Sequence, residues 1–206
     1  MRIDRVEPSR HKADRVLVFL EDGTLLRVTE QELLDFPLHP GAELDEETLE
    51  RLRDAAGGSD AKKQAAALIG RRAMSRRDLT GKLRKKGASE QDARYAAEWL
   101  EAIGALNDAD YAAALVRRCA DMGYGPARCR EELYKHGIPR ELWEEALAAA
   151  PEAPEVIGRW LESRFHGRVP DGEECRRAAA ALARRGFSWS DVRSALSRYA
   201  EDLPEE

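Results

Sequence analysis

The sequence predicts a mainly α protein: three tandem three-helix repeats in an elongated array, preceded by a small N-terminal β-hairpin/α module. Two observations carry the repeats. Gly87, Gly137 and Gly186 recur 50 and 49 residues apart in a shared register. The chain is also rich in Ala, Leu, Arg and Glu, which are strong helix formers, and only 6% aromatic. A third observation carries the N-terminal module: two apolar runs flank Asp22-Gly23, the pattern of a tight hairpin turn. Hydrophobic residues make up 43% of the chain but few are bulky, so several small bundles packed through Ala and Leu are expected.

Residues 1–60 form the first expected domain. Val16–Leu20 and Thr24–Val28 pair as the hairpin, and a strand around Ile3–Val6 adds to it. Thr29 caps a short helix that ends before Pro37. A second helix runs from Asp45 to Ala56, with Leu44, Leu49 and Leu52 as its apolar positions. Gly57-Gly58-Ser59-Asp60 has the composition of a linker.

The helical repeats are expected at 61–106, 107–150 and 151–206. Four residues before each shared glycine stands Leu83, Leu133 or Leu182, and two before stands Lys85, Lys135 or Arg184. One after stands Ala88, Ile138 or Phe187, followed by Ser89, Pro139 or Ser188. The block spells a helix ended by a C′ glycine in the left-handed region and a second helix started two residues later. Ser89 with Asp92, and Ser188 with Asp191, read as capping boxes; Pro139 sits at or beside a first helical position. A further amphipathic helix precedes each block, over Gln64–Arg72, Asp108–Arg118 and Pro154–Phe165. One such unit buries little, so neighbours must stack.

Little in the sequence suggests catalysis. Gly81-Lys82 lacks the earlier glycine and following hydroxyl of a phosphate loop, since Arg76 and Leu83 stand there. His11, His39, His136 and His166 are scattered, and His136 reads as a basic surface group in the slot of Lys86 and Arg185. Cys119, Cys129 and Cys175 form no metal-ligand spacing, and Cys129 reads as a small core residue. Asn107-Asp108-Ala109-Asp110 reads as capping of the helix that begins near Asp110 rather than as a carboxylate pair. Tyr111, Trp143, Trp160, Phe187 and Tyr199 fall on apolar stripes. Trp189 is the aromatic most exposed, and Tyr124 is open between core and interface. Neither a signal peptide nor a membrane span is evident. No cofactor or metal is expected, the sparse, odd cysteine count fits a reducing cytoplasm, and a monomer is expected.

Charge is the informative constellation. The net charge of −5 hides a split: residues 1–60 carry 8 basic and 15 acidic side chains, while residues 61–100 carry 11 basic and 4 acidic. Arg71, Arg72, Arg76, Arg77, Lys82, Arg84, Lys85 and Lys86 are interrupted by the single acid Asp78. On a helix starting after Ser75, Leu79 and Leu83 mark the buried side. Arg77 and Arg84 then project oppositely, with Lys82 and Lys85 on a flank. Such a face attracts phosphate backbones or an acidic protein surface. The blander reading is that Lys85, Lys86, Lys135, Arg184 and Arg185 lie in last helical turns, where cations suit the helix dipole. That reading does not cover Arg71–Arg77.

Arg72-Ala73-Met74-Ser75-Arg76-Arg77-Asp78-Leu79, running into Lys82-Leu83-Arg84-Lys85-Lys86-Gly87, resembles the first signature of the RecX regulatory proteins. Ala105-Leu106-Asn107-Asp108-Ala109-Asp110-Tyr111-Ala112 is similar to their leucine–acid pair–aromatic–alanine segment, with Asn107 where an acid is usual. Gly123-Tyr124-Gly125-Pro126 with Glu132–Ile138 resembles their central signature, and Pro40–Leu44 the N-terminal extension of some members. The third repeat departs in its His166–Gly172 loop. The resemblance implies a non-catalytic regulator that binds RecA filaments on single-stranded DNA, in the filament groove or at its growing end. Strand exchange, ATP hydrolysis and the repair (SOS) response would be restrained. Single-stranded DNA is a further contact, and the basic face around Arg77 and Arg84 would meet DNA or filament. A nucleic-acid-binding module acting without a recombinase, and a plain helical scaffold, are the competing readings.

Overall fold

The computed structural model describes residues 1–10 and 14–201, so His11 lies outside the described residues. The chain divides into two compact units: Met1–Ala73 with Asp78–Leu106, and Met74–Arg77 with the chain from Asn107 onward.

In the first unit β1 (Ile3–Pro8), β2 (Val16–Leu20) and β3 (Leu25–Val28) form an antiparallel sheet in that order. Ile3 pairs with Leu20 and Val16 with Val28. Gly23 takes φ 85°, as the tight turn requires, and the Thr24 amide donates to Asp22 Oδ1 at 2.9 Å. α1 (Glu30–Asp35) begins with a Thr29–Glu32 capping box and stops short of Pro37. The sheet buries Ile3, Val18, Leu20 and Val28 against Leu38, Leu44, Leu49 and Leu52.

The expected linker is not one. α2 runs unbroken from Glu46 to Ile69, through Gly57-Gly58-Ser59-Asp60, and absorbs most of the expected Gln64–Arg72 helix. Glycine costs a helix about 1 kcal/mol relative to alanine, but here it allows close packing. An added Cβ on Gly57 would stand 2.7 Å from an Asp92 carboxylate oxygen, and one on Gly58 3.2 Å from the Tyr95 ring. α4 (Glu90–Ala102) thus lies close on α2, with Ala61 and Ala65 buried on α2, and Ala93, Ala96 and Ala97 buried on α4. α3 (Arg76–Lys85) buries Leu79 and Leu83. Arg71 and Arg72 stand in the turn after α2 rather than in a helix.

The second unit holds α5 (Asp108–Asp121), α6 (Pro126–Lys135), α7 (Trp143–Ala148, entered through a 3-10 turn at Arg140–Leu142), α8 (Ala153–Phe165), α9 (Gly172–Arg184) and α10 (Trp189–Glu201). One core gathers Leu115, Val116, Cys119, Cys129, Leu133 and Ile138. A second gathers Ile157, Leu161, Phe165, Leu182, Phe187 and Val192. Each repeat glycine closes the same motif. Gly87, Gly137 and Gly186 take φ of 95°, 68° and 89°, and the residue after each donates its amide to Leu83, Leu133 or Leu182 five positions back. Those leucines are fully buried, so one side chain anchors each helix end that the glycine turns. Ser89 and Ser188 cap α4 and α10, accepting from the Asp92 and Asp191 amides at 3.0 and 3.1 Å, but the expected boxes do not close, because each acid accepts from the serine hydroxyl rather than from its backbone amide. The fold is mainly helical with one small N-terminal sheet.

The His166–Gly172 loop is a built joint. His166 takes φ 52° at the end of α8, and the Gly167 amide donates to the Tyr199 hydroxyl at 3.2 Å. Arg168 grips Glu174 with two hydrogen bonds of 2.8 and 2.7 Å, while the Asp171–Glu174 capping box starts α9.

Candidate functional site

The candidate cations separate into two kinds. The first kind closes helix ends. Arg77 Nη2 donates to the Lys135 and Tyr134 carbonyls at 2.7 and 3.2 Å, satisfying the last turn of α6. Beside it the Ser75 hydroxyl donates to the His136 carbonyl, and the Arg76 amide donates to Asp108 Oδ1 at 2.8 Å. Met74 and Ser75 are buried. The Met74–Arg77 segment is therefore stitched into the second unit, and Arg77 does not head an open basic face. The reason is geometric: at Gly137 an added Cβ would lie 1.9 Å from Arg77 Nε, so the bare glycine makes the channel the guanidinium occupies.

Arg185 does the same elsewhere. Its Nη1 donates to the Met122 and Gly123 carbonyls at 2.9 and 3.2 Å, at the end of α5. Its guanidinium lies over Tyr124 and Trp160, 5.6 and 5.9 Å from their ring centroids. Tyr124, half-buried against the α5–α6 core, is thus core with a cation on its face. Lys135 is exposed and pairs with Glu132 at 3.7 Å. His136 is half-buried, its ring edge-on to Tyr111 at 5.8 Å, rather than the surface base expected from its slot.

The second kind is open. Arg71, Arg72, Arg84, Lys85, Lys86 and Arg184 are exposed, and their side chains make no hydrogen bond or ion pair with another described residue. Five of the six belong to the first unit, in the turn after α2 and at the end of α3. Arg84 and Lys85 lie in the last turn of α3, and Arg71 and Arg72 just past the end of α2, positions the helix dipoles favour without giving any of them a side-chain partner. Lys82 and Arg76 are half-buried.

Two features escaped the sequence reading. Lys62 of α2 donates to the Tyr95 hydroxyl at 3.0 Å and lies over the Tyr95 and Trp99 rings, at 4.3 and 5.6 Å. The signal was present: Tyr95 and Trp99 are one turn apart on α4, although Tyr95 is half exposed. The other is the start of α5, which Asn107 caps through Ala109 and Asp110, leaving Asp108 to accept from Arg76.

The cysteines are core, as expected of Cys129. Burial pushes the Cys129 thiol up to about 12, and the neighbouring Cys119 thiol, also buried, is raised too. Alkylation of the native protein at neutral pH should therefore reach half-buried Cys175 first and leave Cys119 and Cys129 unmodified until unfolding, as peptide mass mapping would read out. Among the described residues, no helix is long and apolar enough to cross a membrane.

Three-helix units turned by left-handed glycines, with open cations in the turn after α2 and at the end of α3, define a tandem helical-repeat protein with exposed basic groups. Residues 107–147 match the family described as the second three-helix domain of RecX. The chain is 40% identical over 147 residues to the regulatory protein RecX of Stenotrophomonas maltophilia strain R551-3, across 68% of this chain and 86% of that one. It is 37% identical to the regulatory protein RecX of Xanthomonas axonopodis pv. citri, across 68% and 87%. The chain belongs to the RecX family of regulatory proteins. A crystal structure of a regulatory protein RecX shares its fold at TM-score 0.69 and 22% identity, covering 95% of this chain and 98% of that one. RecX from Lactobacillus salivarius does so at TM-score 0.60 and 20% identity, covering 70% and 97%.

Proposed function

We propose that this chain regulates the RecA recombinase by binding its filaments on single-stranded DNA, inhibiting strand exchange, ATP hydrolysis and the repair response. It acts as a cytoplasmic monomer by binding alone, with no reaction of its own. The observation that carries this reading, within the family, is the open cation group Arg71, Arg72, Arg84, Lys85 and Lys86. Unpaired guanidinium and ammonium groups attract a phosphate backbone or an acidic filament surface without first breaking internal pairs. Arg77 and Arg185 serve the proposal indirectly, by fixing the helix ends of the second unit.

The test is titration of the protein into the cognate recombinase on single-stranded DNA while ATP hydrolysis is followed. The unaltered chain should inhibit. Arg84→Glu combined with Lys85→Glu should need about tenfold more protein for the same inhibition, and the loss should grow as salt falls. Arg77→Ala should lower thermal stability yet inhibit normally wherever it remains folded. Full inhibition by the double charge reversal would remove this face from the mechanism. No inhibition by the unaltered chain would refute the regulatory reading itself.

A further inference from the structure

We infer that the exposed face of α10 binds single-stranded nucleic acid, with an unpaired base stacked on Trp189 and the phosphates drawn to Arg193 and Arg198. Trp189 opens α10 and is 66% exposed. A tryptophan at a first helical position caps nothing, because the cap here is Ser188, and its ring is outside the core formed by Val192 and Ala195. The same register holds Glu90 in the first repeat and Arg140 in the second, so the turn itself does not call for an aromatic.

The rest of that face agrees. One helical turn beyond Trp189 stands Arg193, and a turn further Ser197, while Ser194 and Arg198 lie round the exposed side of the helix, Arg198 about half a turn from Trp189; all four are exposed. Neither guanidinium has a hydrogen-bond or ion-pair partner among the described residues. Asp191, the only acid before the last residue of the helix, is turned back into the Ser188 cap. Arg184, on the other side of the Gly186 turn, adds a third open cation. The corresponding helices of the other repeats present the opposite character: α4 exposes Glu90, Glu98 and Glu101, and α7 exposes Glu144 and Glu145. An aromatic plate, unpaired cations and hydroxyl donors without an intervening acid complement a polyanion carrying flat, unstacked bases. Bases inside a duplex are already stacked, so the plate favours single strands.

Binding of a fluorescein-labelled oligothymidylate to the full chain, with no recombinase present, tests this directly. Trp189→Ala should bind about tenfold more weakly, in line with the loss of one base–aromatic stack, while the dependence on salt stays unchanged. Trp189→Phe should recover most of that loss. Arg193→Ala with Arg198→Ala should instead flatten the salt slope by about 1.4, from two lost phosphate contacts. Oligothymidylate should quench tryptophan emission in the unaltered chain and not in Trp189→Phe. Unchanged oligonucleotide affinity in Trp189→Ala would overturn the inference, as would equal binding of a duplex of the same length. Loss of recombinase inhibition in Trp189→Ala with intact oligonucleotide binding would overturn it too, by making the partner of α10 a protein. The oligonucleotide result stands whether or not the chain inhibits the recombinase, so the two readings fail separately.

Discussion

Gly186→Ala should destabilise the second unit by about 3 kcal/mol, from two separable causes. At φ 89° the residue occupies the left-handed region, which costs a side-chain-bearing residue roughly 1–2 kcal/mol. The added Cβ would also stand 2.5 Å from the Arg128 backbone nitrogen. Backbone cannot swing aside there, because the Gly125 amide donates to the Arg185 carbonyl and the Ala127 amide to the Gly186 carbonyl, at 2.8 and 3.1 Å. Overpacking of this kind adds about 1–3 kcal/mol.

Two other alanines separate the causes. Gly87 has the same positive φ, at 95°, but nothing within 4 Å of its added Cβ, so Gly87→Ala should cost only the conformational part, roughly 1–2 kcal/mol. Gly125 has an ordinary φ of −87° but would drive its Cβ to 2.5 Å from the Gly186 carbonyl oxygen. Gly125→Ala should therefore cost only the overpacking part. Urea unfolding of the three variants, with hydrogen exchange to localise the change, reads the differences. Equal losses for Gly186→Ala and Gly87→Ala would mean that the α5–α6 turn and the α9–α10 turn do not touch as closely as these distances state.

The contrast also shows what a sequence reveals. Gly87, Gly137 and Gly186 were legible because left-handed backbone excludes Cβ locally, and the leucine four residues earlier marks the helix end. Gly125 and Gly57 were not, because the atoms they admit come from distant parts of the chain. In α2 no single stripe crosses the glycine pair: Leu49, Leu52 and Ala56 join the sheet core, while Gly58, Ala61 and Ala65 are buried on a face more than about 100° round the helix. The glycine composition and this change of buried face together made the stretch read as a linker. Among the cations the residue type was uninformative. Arg184 and Arg185 are neighbours, yet one is open to solvent and the other closes α5. Arg77 and Arg84 share a helix and differ in the same way. Whether a guanidinium meets a carbonyl or water depends on which helix end lies within its reach, and one sequence does not contain that distance. Trp189 was legible as exposed because it sits beside a cap and off the apolar stripe.

Glu32→Ala should cost the first unit about 3 kcal/mol, a large effect for an exposed-sounding residue in an acidic module. Glu32 is 5% exposed. Burial alone pushes its carboxyl up, but hydrogen bonds from the Ser59 hydroxyl and from the Thr29 hydroxyl and amide, with the nearby Arg15 charge, outweigh burial and hold it below 4.5. Arg15, its side chain 1% exposed, keeps one ion pair, Nη2 to Asp60 Oδ1 at 2.8 Å. Alanine would leave three donors of Thr29 and Ser59 without their acceptor and strip Arg15 of a second counter-charge, and buried polar groups left this way cost more than the bonds themselves contribute. Because the folded carboxyl titrates lower than the unfolded one, its contribution is complete above about pH 4.5 and is lost as pH falls through the folded value. Stability measured from neutral pH to about pH 3 should therefore fall in the unaltered chain by an acid-dependent part that Glu32→Gln lacks. A parallel decline in both proteins would mean that the Glu32 carboxylate does not tie α1 to Ser59, inside the two-glycine stretch of α2, through its charge.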